Sequence, residues 1–238
     1  ILIDGTPNAL LVPYLFVEYF QHLDDYSMHT YFATFTRWLK YLAFFMSTLL
    51  PGLYVGISTF NPEILPGPIL NKIALAVGTT PFSLMTETIF IHLIYEIMRE
   101  AGLRIPRPLG HAVSIVGALV IGETAVSSGL IGAPTLMVVA LTAISSYVIP
   151  NLYEPISILK FIFIITGGLL GIWGIMIVFT AILINICSKN SYGVPFTSPI
   201  APFNIFAMRD VLVRSGWSFL SKKNIKVQNL PGSEVKDK

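Results

Sequence analysis

The chain has 238 residues, of which 54% are hydrophobic and 12% are charged, and its mean hydropathy is +0.72. The charged share is about half that of a soluble domain, so a water-soluble fold is excluded for most of the chain. The single cysteine, Cys187, excludes an intramolecular disulfide and any metal site built from several cysteines. The net charge of +2 is small, so the positions of the charges matter more than their sum.

The first 20 residues are apolar but interrupted by Asp4, Pro7 and Pro13. This pattern predicts a short strand, a turn and an aromatic element at the membrane surface, followed by a polar connector at residues 21–31. Because no basic segment precedes an apolar core here, no signal peptide is predicted.

Residues 41–62 carry no charge and follow the cations Arg37 and Lys40. A run of this length predicts the first membrane-spanning helix. Pro51 and Gly52 lie at its centre, where a proline removes one backbone hydrogen bond. We therefore predict a kink that neighbouring helices stabilise by packing against it.

The prolines of residues 61–81 predict a loop. Residues 82–102 then predict a helix with one polar stripe, because Thr88, His92, Glu96 and Arg99 fall within about 80° at 100° per residue. Glu87 lies outside this stripe. The helix is predicted to end at Gly102.

Residues 111–122 predict an apolar helix, and Glu123 follows directly. The glycines Gly110, Gly117 and Gly122 are spaced for close packing. Glycines and a proline predict a turn over residues 128–134 and a shorter span over residues 135–149.

The longest apolar run, residues 161–184, contains no charged side chain and belongs to a predicted span over residues 157–187. Gly167 and Gly171, with two more glycines nearby, predict close approach of another helix. After residue 188 the chain is rich in proline, serine and aromatics and then becomes basic, which predicts an interfacial loop and a tail that favours anionic lipid over nucleic acid.

The distribution of lysine and arginine predicts the orientation. Eight of these residues follow position 188, and others cluster at residues 99–107 and before the first span. The positive-inside rule therefore places the amino end and the tail in the cytoplasm. Five spans cannot place both ends on one side, whereas four or six can.

Four long stretches resemble the A-subunit family of GerA-type spore germinant receptors. They are YFATFTRWLKYLAFFMSTLLPGLYVGISTFNPEILP at 31–66, EIMREAGLRIPRPLGHAVSIVGALVIGETAVSSGLI at 96–131, VVALTAISSYVIPN at 138–151 and YGVPFTSPIAPF at 192–203. The resemblance implies an all-α polytopic membrane protein of four to five membrane helices, with kinked and re-entrant segments, assembled as a ring. A sporulation-stage paralogue shares this region and is not separated from the receptor subunits by these residues.

The resemblance also implies partners and a location. In the family a soluble cytoplasmic domain precedes the membrane region, so we expect a fragment or a truncated gene product. The expected divisions are the end of that domain with a connector at 1–36, a membrane domain at 37–187, and a loop with a basic cytoplasmic tail at 188–238. The expected partners are the lipid bilayer, further copies of the chain, a transporter-like B subunit that senses nutrient and a lipoprotein C subunit, in the inner membrane of the spore.

Four side chains are candidates for a pore or ion pathway. In a ring of subunits Glu123 would form a ring of negative charge that favours cations, or it is simply solvated at the interface. Glu87, His92 and Glu96 line either a pore or a wet interface. His92 and Glu96 are four residues apart, a spacing that allows them to pair on one helix face, but no third ligand is indicated, so no metal site is predicted.

Three functions remain open at this point. The first is a nutrient-gated cation channel subunit, and the second is a non-conducting scaffold for the receptor complex. The third is a secondary transporter, although no internal repeat supports it. No phosphate loop or nucleophile motif is present, so neither an enzyme nor a cofactor is predicted.

Overall fold

The computed structural model describes residues 12–104, 122–203 and 207–215. The α-helices with described bounds are α1 (Thr30–Phe60), α2 (Gly67–Thr79), α3 (Leu84–Arg104), α4 (Ala133–Tyr147) and α5 (Tyr153–Ser188). Residues 122–127 are also helical. Strands β1 (Asn190–Ser191) and β2 (Val194–Pro195) form one small antiparallel pair. Single 3-10 turns occur at Phe16–Phe20, Leu23–Tyr26, Pro62–Ile64, Pro150–Leu152 and Ala207–Asp210.

The predicted fold class, an all-α polytopic membrane protein, is confirmed. Within the described residues, α1 and the segment Pro150–Ser188 are long and apolar enough to cross a membrane. The pair α2 and α3, bent by 81° at their junction, adds a third span if it is counted as one, and α4 is a shorter apolar helix. The chain forms two compact units, the first made of residues up to 42 and from 180 onward, the second of residues 43–179.

Helix α1 begins eleven residues before the predicted start of the first span. The prediction placed Arg37 and Lys40 outside the helix because charged side chains are costly in lipid. Both are nevertheless helical, since Asp25 and Asp210 neutralise them within the first unit. Pro51 lies inside α1 and cannot donate to the carbonyl of Ser47.

The predicted loop over residues 61–81 is wrong, because α2 occupies most of it. Pro68 stands in the first turn of α2, where a missing N–H costs nothing, since the first amides of a helix lack partners anyway. Pro62 and Pro66 precede the helix and Pro81 follows it. These prolines mark the ends of a helix rather than a loop.

Helices α3 and α4 run in the same direction in the second unit. Gly132, just before α4, donates a hydrogen bond to Glu87 near the start of α3. Tyr95, farther along α3, donates a hydrogen bond to Tyr147 at the end of α4. Between these contacts Ile91 and Val139 share one apolar cluster. The predicted turn before α4 is confirmed, and Gly129 there has φ +70°, which a glycine adopts without strain.

Helix α5 is not the single uninterrupted span that its sequence predicted. At Gly171 the backbone has φ 65° and ψ −149°, a region open to glycine alone. A side chain at Gly174 would place its Cβ 2.7 Å from the carbonyl oxygen of Thr166, eight residues earlier. In a straight helix these residues are about 12 Å apart. Gly171 therefore separates a first arm, residues 153–170, from a second arm, residues 172–188.

The first arm packs directly against α1. A Cβ added to Gly52 would lie 2.6 Å from the carbonyl oxygen of Phe163, and one added to Gly167 would lie 2.5 Å from the carbonyl oxygen of Gly52. Farther along both helices, Gly56 packs against Gly167 and Phe60 packs against Gly171. Because the residue numbers rise together in α1 and in the first arm, the two helices run parallel. Lys160 contacts Glu96 and Gly168 meets Met85, so the first arm runs opposite to α3.

Candidate functional site

The polar stripe of α3 faces the first arm of α5, where it forms a buried ionic cluster. Lys160 donates a hydrogen bond to Glu96 Oε1, and the hydroxyl of Tyr153 donates to Oε2. The Ser157 hydroxyl lies 3.3 Å from Oε1, and an Arg99 nitrogen lies 4.0 Å from Oε2. We call these five residues the Glu96 cluster. The Lys160 side chain is 1% exposed, so its charge depends on Glu96 for compensation.

Sequence reasoning identified Glu96 but missed Lys160. The available signal was a lysine flanking a long charge-free run, because a cation at that depth requires a counterion. Its partner is 64 residues away along the chain, so local spacing could not identify it. The Arg99 guanidinium also lies 3.0 Å from the ring centre of Tyr153, which ties the end of α3 to the start of α5.

The pairing of His92 with Glu96 that their spacing allows does not form. His92 is fully buried, and neither ring nitrogen has a hydrogen-bond partner. Its ring packs edge-to-face on Phe161 at 6.3 Å between centroids. Glu96 binds Lys160 instead, because a hydrogen bond between two charged groups is stronger than one to a neutral imidazole.

Glu87 is buried and holds the turn that precedes α4. Its Oε1 accepts a hydrogen bond of 2.8 Å from the backbone N–H of Gly132, which is the N-cap of α4 and supplies no side-chain cap of its own. The positive end of the α4 dipole favours a carboxylate at this place. Oε2 has no hydrogen-bond partner. Glu87 therefore acts as an N-cap supplied by another helix.

Glu123 differs from the other acidic candidates because its side chain is exposed. It lies in the helical residues 122–127, close to the start of that described segment. Gly117, predicted to be a packing glycine, lies outside the described residues. Among the residues that the structure does describe, no three of His, Cys, Asp and Glu are grouped so that they could hold a metal ion.

A second ionic network, absent from the predictions, lies in the first unit. Arg37 is fully buried, donates to the backbone carbonyl of Asp210, and lies 3.4 Å from its Oδ1. Lys40 donates to both oxygens of Asp25 at 3.0 and 3.1 Å. Asp25 Oδ2 is also 4.0 Å from Arg37 Nε. We call these four residues the Arg37 network.

Hydrogen bonds join the segment around Asp210 to several turns of α1. Trp38 and Tyr41 donate to the carbonyls of Leu212 and Val211, and Arg214 donates to the Thr30 hydroxyl at 2.7 Å. The hydroxyl of Tyr26 donates to Asp210 Oδ2. Burial, with that hydrogen bond to a carboxylate, raises the pKa of Tyr26 to about 12. Tyr26 therefore remains a donor throughout the physiological pH range.

These features define a helical membrane protein with the Arg37 network in its first unit and the Glu96 cluster in its second. The family model for the Bacillus/Clostridium GerA spore germination protein matches residues 1–225. The chain thus belongs to the GerA family of spore germination proteins.

Curated relatives support this assignment. Spore germination protein KA of Bacillus subtilis (strain 168) is 42% identical over 219 residues, which are 91% of this chain and 40% of that protein. Spore germination protein GerLA of Bacillus cereus is 34% identical over 225 residues, 94% of this chain and 46% of the relative. The uncharacterized membrane protein YfkQ of Bacillus subtilis (strain 168) is 34% identical over 225 residues, 94% of this chain and 44% of its own length. The chain therefore spans less than half of these relatives, and no solved structure matches it.

Proposed function

We propose that the chain is the membrane region of a germinant receptor A subunit, and that it assembles with further copies into a nutrient-gated cation channel of the spore inner membrane. Membership of a family of spore germination proteins supports the role in germination. The proposed partners are a transporter-like B subunit and a lipoprotein C subunit. The proposed divisions remain a connector at 1–36, a membrane domain at 37–187 and a loop with a tail at 188–238.

One observation carries the conducting role, namely the exposed carboxylate of Glu123 beside membrane helices. Glu87 and Glu96 are bonded inside the subunit, to Gly132 and Lys160, and are therefore less available to a passing ion. A carboxylate repeated around a ring attracts cations strongly, because several charges act on one ion in a passage of low dielectric. Among the four pathway candidates, Glu123 is therefore the best supported.

The experiment neutralises each carboxylate in the full-length gene. Glu123→Gln and Glu87→Gln spores are given germinant, and cation release is followed with time. The matched control is Glu63→Gln, because Glu63 is also exposed but lies in a short turn between α1 and α2. Immunoblots establish the amount of subunit in each spore.

Glu123→Gln is expected to slow cation release or alter its selectivity at normal subunit levels, while Glu63→Gln has no effect. Glu87→Gln is expected to lower the amount of subunit, because it weakens the cap of α4. Wild-type release and selectivity in Glu123→Gln spores would contradict the conducting role of this residue. If Glu87→Gln spores that retain their subunit also release cations normally, the scaffold function is favoured instead.

A further inference from the structure

Helix α5 doubles back on itself within the second unit. Besides the approach of Gly174 to Thr166, the side chain of Ile175 reaches Gly167, with its Cδ1 3.2 Å from the position of an added Cβ. The same Cδ1 lies 3.3 Å from the corresponding position at Gly56 of α1. Residues 167 and 175 are about 12 Å apart along a straight helix, so these contacts require the second arm to fold back beside the first.

The bend lies at the level where α1 ends. Gly171 packs on Phe60, the last residue of α1, with an added Cβ 3.1 Å from Phe60 Cβ. The next residues of that chain segment are polar, and both Asn61 and Glu63 are exposed. A span that ends in an exposed acidic turn has reached the aqueous face of the membrane. The bend in α5 therefore lies at a membrane surface and not at the centre of the bilayer.

Each arm has the length of one crossing. Residues 153–170 and 172–188 reach roughly 25 to 27 Å as helices, close to the hydrocarbon thickness of about 30 Å. No residue from 161 to 188 is charged, and Lys189 follows directly.

The side chain that follows the bend suits the boundary between lipid headgroups and acyl chains. Trp173 is 75% exposed and is flanked by the exposed apolar residues Leu170 and Met176. Tryptophan is enriched at this boundary because its ring is apolar while its N–H forms hydrogen bonds.

We propose that α5 crosses the membrane twice, and that its bend anchors Trp173 in the headgroup–acyl boundary of the leaflet opposite the one at which the second arm ends. The proposal names a lipid surface as the partner of this tip. It does not depend on ion conduction.

A thiol-accessibility experiment separates one crossing from two. Cys187→Ser removes the thiol of these 238 residues, any cysteine elsewhere in the full-length protein is likewise replaced by serine, and Trp173→Cys or Ile162→Cys is added. A straight helix over Tyr153–Ser188 would bury residue 173 near the bilayer centre and leave residue 162 nearer a surface. Two crossings reverse this order, because residue 162 then lies in the middle of the first arm. Asn190→Cys marks the face at which the second arm ends, because Asn190 lies two residues after Ser188.

Labelling uses a membrane-impermeant maleimide on vesicles of known orientation. Trp173→Cys is expected to react at least tenfold faster than Ile162→Cys, and from the face opposite to Asn190→Cys. Leu170→Cys, at the other side of the bend, repeats the measurement should the first variant fold poorly. The proposal is overturned if Trp173→Cys and Leu170→Cys both react no faster than Ile162→Cys. It is also overturned if they react from the same face of the membrane as Asn190→Cys.

Tryptophan quenching tests the lipid contact itself. With Trp38→Phe and Trp217→Phe, Trp173 is the sole tryptophan of these 238 residues, and any tryptophan elsewhere in the full-length protein is also replaced by phenylalanine. Its fluorescence is expected to be quenched more by lipids brominated near the headgroup than by lipids brominated near the chain end. Stronger quenching from the chain end, or no quenching because another protein surface covers the ring, contradicts the assignment.

Discussion

At the scale of single residues, the ion pair between Lys160 and Glu96 offers a direct test of the buried cluster. Lys160→Ala leaves the Glu96 carboxylate with the more distant Arg99 as its remaining cation. Breaking a fully buried pair typically costs about 3–5 kcal/mol, so the loss is expected to lie toward the lower end of that range. The free energy of unfolding or the thermal midpoint of the full-length protein in detergent measures this loss. Replacing both residues, with Lys160→Met and Glu96→Gln, is expected to restore much of the stability, because the only cation that loses its carboxylate is Arg99, which is partly exposed to solvent.

The pair formed by Arg104 and Glu100 is a matched control, since it also lies on α3 but is exposed, with side chains 78% and 56% accessible. Exposed pairs contribute less than about 1 kcal/mol, so Arg104→Ala should barely change the midpoint. Equal effects of Lys160→Ala and Arg104→Ala would contradict a compensating role for the buried pair.

The depth of the polar side chains could be predicted from the sequence, but their partners could not. Glu87, His92 and Glu96 stand out because they interrupt an apolar helix. Their bonds depend on which helices become neighbours, and no local spacing gives the contact of Glu96 with Lys160 or of Glu87 with Gly132. The pairing of His92 with Glu96 that their spacing allows does not form because a more distant cation competes for the carboxylate.

At the scale of helices, the close approach of α1 and the first arm of α5 predicts a strong effect of one methyl group. Gly167→Ala places a Cβ 2.5 Å from the carbonyl oxygen of Gly52, and backbone atoms cannot rotate away as a side chain does. We expect the helices to separate at a cost of about 1–3 kcal/mol or more, measured by thermal unfolding of the purified protein.

Gly78 of α2 provides the matched glycine control, because an added Cβ there meets nothing within 4 Å. Gly78→Ala should be neutral or stabilise by roughly 0.5–1 kcal/mol, since alanine loses less conformational freedom in a helix. Destabilisation by Gly78→Ala equal to that by Gly167→Ala would show that the backbone contact is not the cause.

Charge-free runs predicted α1, α4 and α5 because length and apolarity are local properties of the chain. The same method missed α2, since its prolines stand at the ends of a helix and mimic a loop. It also missed the bend at Gly171. Several glycines lie within eight residues of one another there, and nothing local tells which one adopts a positive φ.

At the scale of the whole molecule, residues on both sides of the membrane region belong to one compact unit, so both ends should lie on the same face. In a Cys187→Ser background, Asp24→Cys and Asn190→Cys are each exposed to a membrane-impermeant thiol reagent on right-side-out vesicles. Both sites are expected to give the same result, protected if that face is cytoplasmic. Labelling of one site but not the other would exclude an even number of crossings.

The ion pairs of Arg37 and Lys40 reduce how much these two cations contribute to the positive-inside prediction. These cations are paired with Asp25 and Asp210 inside the first unit, and their charge is compensated there. The orientation prediction therefore rests mainly on the cations at 99–107 and after residue 188.

The Arg37 network also sets an order of events during synthesis. Arg37 and Asp210 are 173 residues apart, so at about 5–20 residues per second the arginine emerges from the ribosome roughly 10 to 35 seconds before its partner. Asp25 is already present and can hold Lys40 during this interval. The first unit is thus completed only after the helices of the second have been made, and in a chain that stops before residue 210 the Arg37 guanidinium keeps Asp25, 4.0 Å from its Nε, but lacks Asp210.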